Sequence, residues 1–203
     1  MLLRSYLADN LYDQADRLVS KSTFPPTASN NQTARYLYYL GRIRSIQLEY
    51  TEAHTVLMQA IRKAPANTAR GFKTAAQKLA TIVQLLRGEL PEHRTFFQPE
   101  YAAALRPYYE LAQAVRIGDL TAFHAVTDKF GNTFMVDKTA TLIKRLRHNV
   151  IRTGLRNIAI AYSRVSLADV AAKLGLESAA DAEAIVAKAI ADDFIDAGAR
   201  AWR

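Results

Sequence analysis

Cysteine is absent from the chain. That removes disulfides, thiolate-ligated zinc, iron–sulfur clusters and thiol nucleophiles together, and it fits a reducing compartment. No stretch approaches 18 consecutive apolar residues. At the N-terminus Arg4 and Asp9 interrupt Leu2, Leu3 and Leu7, so no secretory h-region forms. A soluble, intracellular protein is expected, with no membrane partner. None of the eight glycines is followed by lysine, which rules out a phosphate-binding loop of the G-K-[ST] type. His54, His93, His124 and His148 are too widely separated for H-E-x-x-H or any similar metal spacing. Ser163 and Ser166 lack the glycines of a nucleophile elbow. No catalytic residue, cofactor or metal is therefore expected. Alternation of β-branched residues is nearly missing outside Phe194 to Ala197.

Glycine and proline are also scarce, 8 and 6 in 203 residues. They fall between long stretches rich in Ala, Leu, Arg, Lys and Gln, the residues that lose least on entering a helix. With half of the residues hydrophobic and 23% charged, the chain has the composition of a folded, mainly helical protein. Breaks are expected at Phe24-Pro25-Pro26, Ala64-Pro65, Gly88 to Pro91, Gln98-Pro99, Gly118-Asp119, Gly131-Asn132 and Gly175. One interval carries a repeat pattern. Leu40-Gly41, Ala53, Ala60 and Pro65 stand at the small-residue and stop positions of a tetratricopeptide (TPR) unit, although Leu37 and Arg44 replace its aromatics. Gly41 and Ala53 would let two antiparallel helices approach, Leu57 would fill the groove beside Ala53, and Pro65 would end the second helix. Weaker copies lie at Tyr12 to Val19 and at Tyr101 to Phe130, the latter with Asp119 as a helix cap. The fold expected is mainly α: a TPR-like right-handed helical-repeat solenoid over residues 1–135, then a winged-helix domain over 136–203.

Charge divides the second half. The net charge of the chain is +8, and Lys138 to Arg164 carries seven cations and no acid. Leu142, Leu146, Val150, Ile151, Leu155 and Ile158 form an apolar stripe on the same helix. Lys144, Arg145, Arg147, Arg152 and Arg156 remain for solvent or for an acidic partner. Beyond it, Ser166-Leu-Ala-Asp169 and Ser178-Ala-Ala-Asp181 read as two capped helix starts, with Gly175 closing the first helix. A long helix, two short helices and a strand-like Phe194 to Ala197 have the order of a winged helix. Ser166 to Gly198 nevertheless holds seven acids and two bases. A polyanion would be repelled where the second helix of a DNA reader docks, so nucleic acid is not the expected partner.

Helical repeats running into a winged helix resemble the PCI family, the shared module of the proteasome lid, the COP9 signalosome and a translation-initiation factor. Four blocks carry a resemblance to its proteasome-lid branch over residues 34 to 195: Arg35-Tyr-Leu-Tyr-Tyr-Leu-Gly-Arg-Ile-Arg-Ser-Ile-Gln-Leu-Glu-Tyr50, Thr141-Leu-Ile-Lys-Arg-Leu-Arg-His-Asn-Val-Ile-Arg-Thr-Gly154, Tyr162-Ser-Arg-Val-Ser-Leu-Ala-Asp169 and Asp181-Ala-Glu-Ala-Ile-Val-Ala-Lys-Ala-Ile190. The resemblance implies a non-catalytic scaffold subunit of the lid of the 19S regulatory particle, serving ubiquitin-dependent protein degradation in the cytoplasm and nucleus. It implies a hetero-oligomer with other PCI subunits, numbers 7 and 12 as neighbours, and with a small acidic disordered lid protein. Phe194, Ile195, Asp196 and Ala197 would then pair edge to edge with a neighbouring sheet, and Arg42 and Arg44 would be among the contacts of the acidic chain. A signalosome subunit, or a nucleic-acid-binding PCI protein using Lys144, Arg145, Arg147, Arg152 and Arg156, are the alternatives. The wing and the C-terminal helix of the family are incomplete before Arg203, so a fragment or a shortened product is expected.

Overall fold

The computed structural model describes residues 2–65, 68–162, 165–176 and 178–192, and eleven helices lie among these described residues. Among these residues there is no strand, and only Val165 makes a β-bridge. The strand-like Phe194 to Ala197 lies outside the described residues. The chain separates into two compact units, 1–108 and 109–203. The division falls inside one helix next to Pro107, which has no N–H to give to the helix ladder.

The first unit contains α1 (Leu2–Ala8), α2 (Tyr12–Lys21), α3 (Asn30–Ile46), α4 (Tyr50–Lys63), α5 (Arg70–Leu86), the single turn α6 (His93–Phe96) and the start of α7 (Ala102–Ile117). Ser29 caps α3 by accepting the Gln32 N–H at 3.4 Å. Helix α4 stops where Pro65 forces Ala64 into extended backbone, with ψ at 140°. Helices α3 and α4 form the most extensive pairing, and α4 then packs on α5. The expected small residues lie in that seam: Ala53 and Ala60 are completely buried, and Gly41 faces the side chain of Leu57. Ahead of it, Leu7 of α1, Ala15 of α2 and Ile43 of α3 share a separate apolar cluster.

A half-buried histidine joins α4 to the end of α5. Arg87 Nη1 lies 3.2 Å from His54 Nδ1. Since a guanidinium can only donate, the ring accepts there and must be neutral. Burial first, and the Arg87 charge second, hold the ring below its ordinary pKa, against an opposing pull from Glu89. The unfolded chain therefore takes up this proton near pH 6.5 while the folded chain does not. The contribution is intact above that pH and is lost as pH falls toward the lower folded value. His54→Gln, which keeps an acceptor but cannot titrate, should flatten the loss of urea resistance between about pH 7 and about pH 5; an unchanged slope would contradict the assignment.

The second unit holds the rest of α7, then α8 (Leu120–Val136), α9 (Ala140–Ala161), α10 (Leu167–Leu174) and α11 (Ala179–Ala191). Asp119 begins α8 by accepting the Thr121 N–H at 2.8 Å. One expected break does not occur, because α8 runs through Gly131-Asn132 without interruption. A glycine inside a helix costs only about 1 kcal/mol relative to alanine. Here the edge-to-face contact of Phe130 with Phe134, and the burial of Phe134, hold the following turn helical. A methyl group at Gly131 would meet nothing within 4 Å. Gly131→Ala should accordingly raise stability by about 0.5–1 kcal/mol, seen as a higher urea midpoint with an unchanged slope.

Candidate interaction surfaces

The last three helices form the scaffold expected of a winged helix. Ser166 accepts the Asp169 N–H at 3.1 Å while its hydroxyl donates to the Asp169 carboxylate at 2.6 Å. Ser178 and Asp181 repeat the arrangement at 3.1 and 2.8 Å. Gly175 ends α10 in the left-handed region, at φ 66°. Between these stops, Leu155 and Ile158 of α9, Val170 and Leu174 of α10, and Ala182 and Val186 of α11 close one apolar core.

That core takes up the C-terminal part of the apolar side of α9, whose basic residues lie on other sides of the helix. Leu142, Leu146, Val150, Leu155 and Ile158 are buried, while Lys144, Arg147 and Arg156 are exposed and Arg145 and Arg152 half-buried. The five cations do not form one patch. Arg145, Arg152 and Arg156 follow one another at spacings of seven and four and share a stripe. Arg147, two residues from Arg145, points to the opposite flank. His148 lies where the charges of Arg152 and Lys188 reach it, so burial and these two cations lower its pKa against the pull of Asp192. On α11 Asp181 and Glu183 are exposed, as is Asp192 at its C-cap, against the single exposed cation Lys188, and the rest of its outer side is mostly alanine. The helix that would enter a DNA groove thus offers no cationic face.

Two glycines set the position of this scaffold, and neither was apparent as a contact from sequence. Gly118, in the turn between α7 and α8 with φ +78°, meets Gly154 in the middle of α9, backbone against backbone. A Cβ on Gly154 would collide with the Gly118 carbonyl oxygen and with Cδ2 of Leu174. Asn157 Nδ2 closes the same joint by donating to the Ile117 carbonyl at 3.1 Å. A glycine at position 154 of a long helix was the only visible trace, and its partner lies 36 residues away in the chain.

In the first unit, Arg44 is engaged by acids from three directions. Its guanidinium lies 3.7 Å from Asp16, 3.0 Å from Glu49 and 3.5 Å from Glu52, and it also reaches Gln47. It occupies a position where the repeat pattern has an aromatic, and it ties α2, α3 and the start of α4 together by charge instead of by apolar packing. Arg42 donates to the Tyr12 hydroxyl at 3.4 Å. Among the described residues no group of three or more His, Asp or Glu side chains stands close enough to hold a metal ion, and no helix is long and apolar enough to cross a membrane.

Two family models match the chain. Residues 1–112 match "PSMD3-like, N-terminal TPR repeats", more than half of the sequence. The chain belongs to the PSMD3-like family. Residues 127–198 of this PSMD3-like chain match the PCI domain, which covers α9 to α11. Relatives named probable 26S proteasome non-ATPase regulatory subunit 3 are 57% identical over 196 residues in Anopheles stephensi and 59% identical over 200 residues in Nicotiana tabacum. A relative in Schizosaccharomyces pombe, named probable 26S proteasome regulatory subunit rpn3, is 57% identical over 198 residues. Each alignment covers 97% of the chain but 39%, 41% and 40% of the respective relative. The chain therefore spans about two-fifths of the length of these curated relatives. The expected TPR-to-PCI order is present, and the family is the proteasomal one, which disfavours the signalosome alternative.

Proposed function

We propose that the chain acts as a non-catalytic scaffold in the lid of the proteasome regulatory particle, supporting ubiquitin-dependent degradation in the cytoplasm and nucleus. The observation that carries the reading is the succession of PSMD3-like repeats and a PCI domain in one chain. The acidic and alanine-rich outer side of α11 supports it, because that side suits a protein neighbour better than a nucleic acid. PCI subunits 7 and 12 are the proposed neighbours, and a small acidic disordered lid protein is the proposed partner of the repeats. Phe194 to Ala197 would supply strand pairing to a neighbouring sheet. Of the cations considered for contact, Lys144, Arg147 and Arg156 are the ones most exposed on α9.

The test is co-purification. A tagged chain expressed in cells should retain lid PCI subunits 7 and 12 through a wash at about physiological ionic strength, as identified by mass spectrometry. A chain recovered without either subunit would refute the scaffold reading.

A further inference from the structure

Three helices of the first unit end in the same way. The Leu11 N–H donates to the Tyr6 carbonyl at 2.8 Å after α1, the Glu49 N–H to the Arg44 carbonyl at 3.0 Å after α3, and the Glu89 N–H to the Gln84 carbonyl at 3.1 Å after α5. Such a stop needs a residue in the left-handed region just before the donor, and Asn10, Leu48 and Gly88 fill it at φ 58°, 72° and 85°. Asparagine and glycine adopt that conformation readily, but a leucine is strained there. Burial does not offset the strain, since Leu48 is 61% exposed.

An exposed leucine stands at each stop: Leu11, Leu48 and Leu90. The three stops lie on one side of the unit. Arg42, near the end of α3, donates to Tyr12 at the start of α2, and Arg44 reaches Asp16 of α2 and Glu52 of α4. Arg87, after α5, reaches His54 in the first turns of α4. Helix α1 touches α3 and α3 touches α5, so successive leucines follow neighbouring helices whose axes lie about 8–10 Å apart. All seven acids in residues 1–92 lie within five residues of one of these leucines. The same windows hold three lysines or arginines, and two of them, Arg44 and Arg87, are engaged by Asp16, Glu49, Glu52 and Glu89. Asp9, Asp13 and Glu92 are exposed, and none makes an ion pair with a described residue.

We infer that this edge is a docking surface for a cationic amphipathic helix of a partner protein, with Leu11, Leu48 and Leu90 packing on its apolar residues and Asp9, Asp13 and Glu92 pairing with its lysines and arginines. The inference deepens the scaffold reading and rests on it for the partner being a protein. Charge complementarity selects the occupant. The chain as a whole carries +8, so this edge is a local exception that attracts cations. It repels nucleic acid and anionic lipid alike. A spacing of about 8–10 Å equals about six or seven residues of a helix rising 1.5 Å per residue, so one apolar residue per heptad meets one leucine. A leucine stands at position 48 in place of glycine because its apolar contact is made in the complex.

The experiment uses the 203-residue chain and a fluorescein-labelled peptide of three heptads, each with one Leu, flanking Lys and otherwise Ala, read by anisotropy. Leu11→Ser, Leu48→Gly and Leu90→Ser together should weaken binding at least about 10-fold, as loss of central apolar anchors does. Asp9→Asn, Asp13→Asn and Glu92→Gln together should weaken it by about 3-fold or more and reduce its salt dependence. Met135→Ser with Val136→Ser, exposed apolar residues of α8, and Asp181→Asn with Glu183→Gln on α11 should each change it less than about 2-fold. Leu48→Gly alone separates binding from folding. It should weaken the peptide by about 3-fold or more while raising the melting temperature by about 2–4 °C, through relief of the left-handed leucine. Equal loss from the α8 or α11 variant, indifference to the leucine or the acid triple, or a Leu48→Gly chain that binds as tightly as wild type would each overturn the assignment. Failure of lid subunits to co-purify would instead count against the scaffold reading and leave peptide binding measurable.

Discussion

Gly154→Ala should lower the stability of the second unit by about 3 kcal/mol, at the upper end of what forcing one methyl group into a packed interior costs. The added carbon has no direction in which to yield. On one side is the carbonyl of Gly118, which is backbone, and on the other is Leu174, itself 1% exposed in the core of α9, α10 and α11. For a unit of this size that loss corresponds to a melting temperature lower by on the order of 10 °C or more. Gly118→Ala should be at least as damaging, because the residue adds a positive φ to the same collision. Gly131→Ala is the internal control, since it makes the same chemical change in the same unit and is expected to move stability upward. If Gly154→Ala melted within about 2 °C of wild type, the backbone contact between the α7–α8 turn and α9 would have to be abandoned.

Gly41→Ala should cost about 1–3 kcal/mol, and its cost should vanish when Leu57 is shortened. A Cβ at position 41 would lie 2.6 Å from Leu57 Cγ, closer than carbon atoms approach without displacement. Leu57 is fully buried and cannot swing into solvent. Leu57→Ala alone should cost about 2–5 kcal/mol through the cavity it leaves. In that background Gly41→Ala fills part of the space and restores a better helix former, so the double variant should be no less stable than Leu57→Ala. Chemical denaturation of the four proteins gives the coupling, expected at about 2 kcal/mol. Additive effects would mean that Gly41 and Leu57 do not touch.

The two glycines differ in how readily sequence discloses them. Gly41 belongs to a pattern whose partners, Ala53, Ala60 and Pro65, follow within one hairpin, so spacing alone brings them together. The same holds for Ser166 with Asp169, Ser178 with Asp181, and Asp119 with Thr121, all contacts of two or three residues' separation. Gly131-Asn132 misled because a local penalty of about 1 kcal/mol was opposed by aromatic packing that no local rule weighs. Arg44 looked like a surface cation available to a partner, and only the approach of Asp16 from α2 and Glu52 from α4 shows how it is held.

By itself, the sequence determined that the chain is helical, where most helices start and stop, which side of α9 is apolar, and that thiol and phosphate-loop chemistries are closed to it. These follow from propensities, caps and periodicity, which act over a few residues. Only the tertiary structure decided that Gly118 meets Gly154 and that Arg44 is enclosed by carboxylates. Each of these depends on how whole helices are set against one another, and packing brings together residues whose separation along the chain carries no local signature.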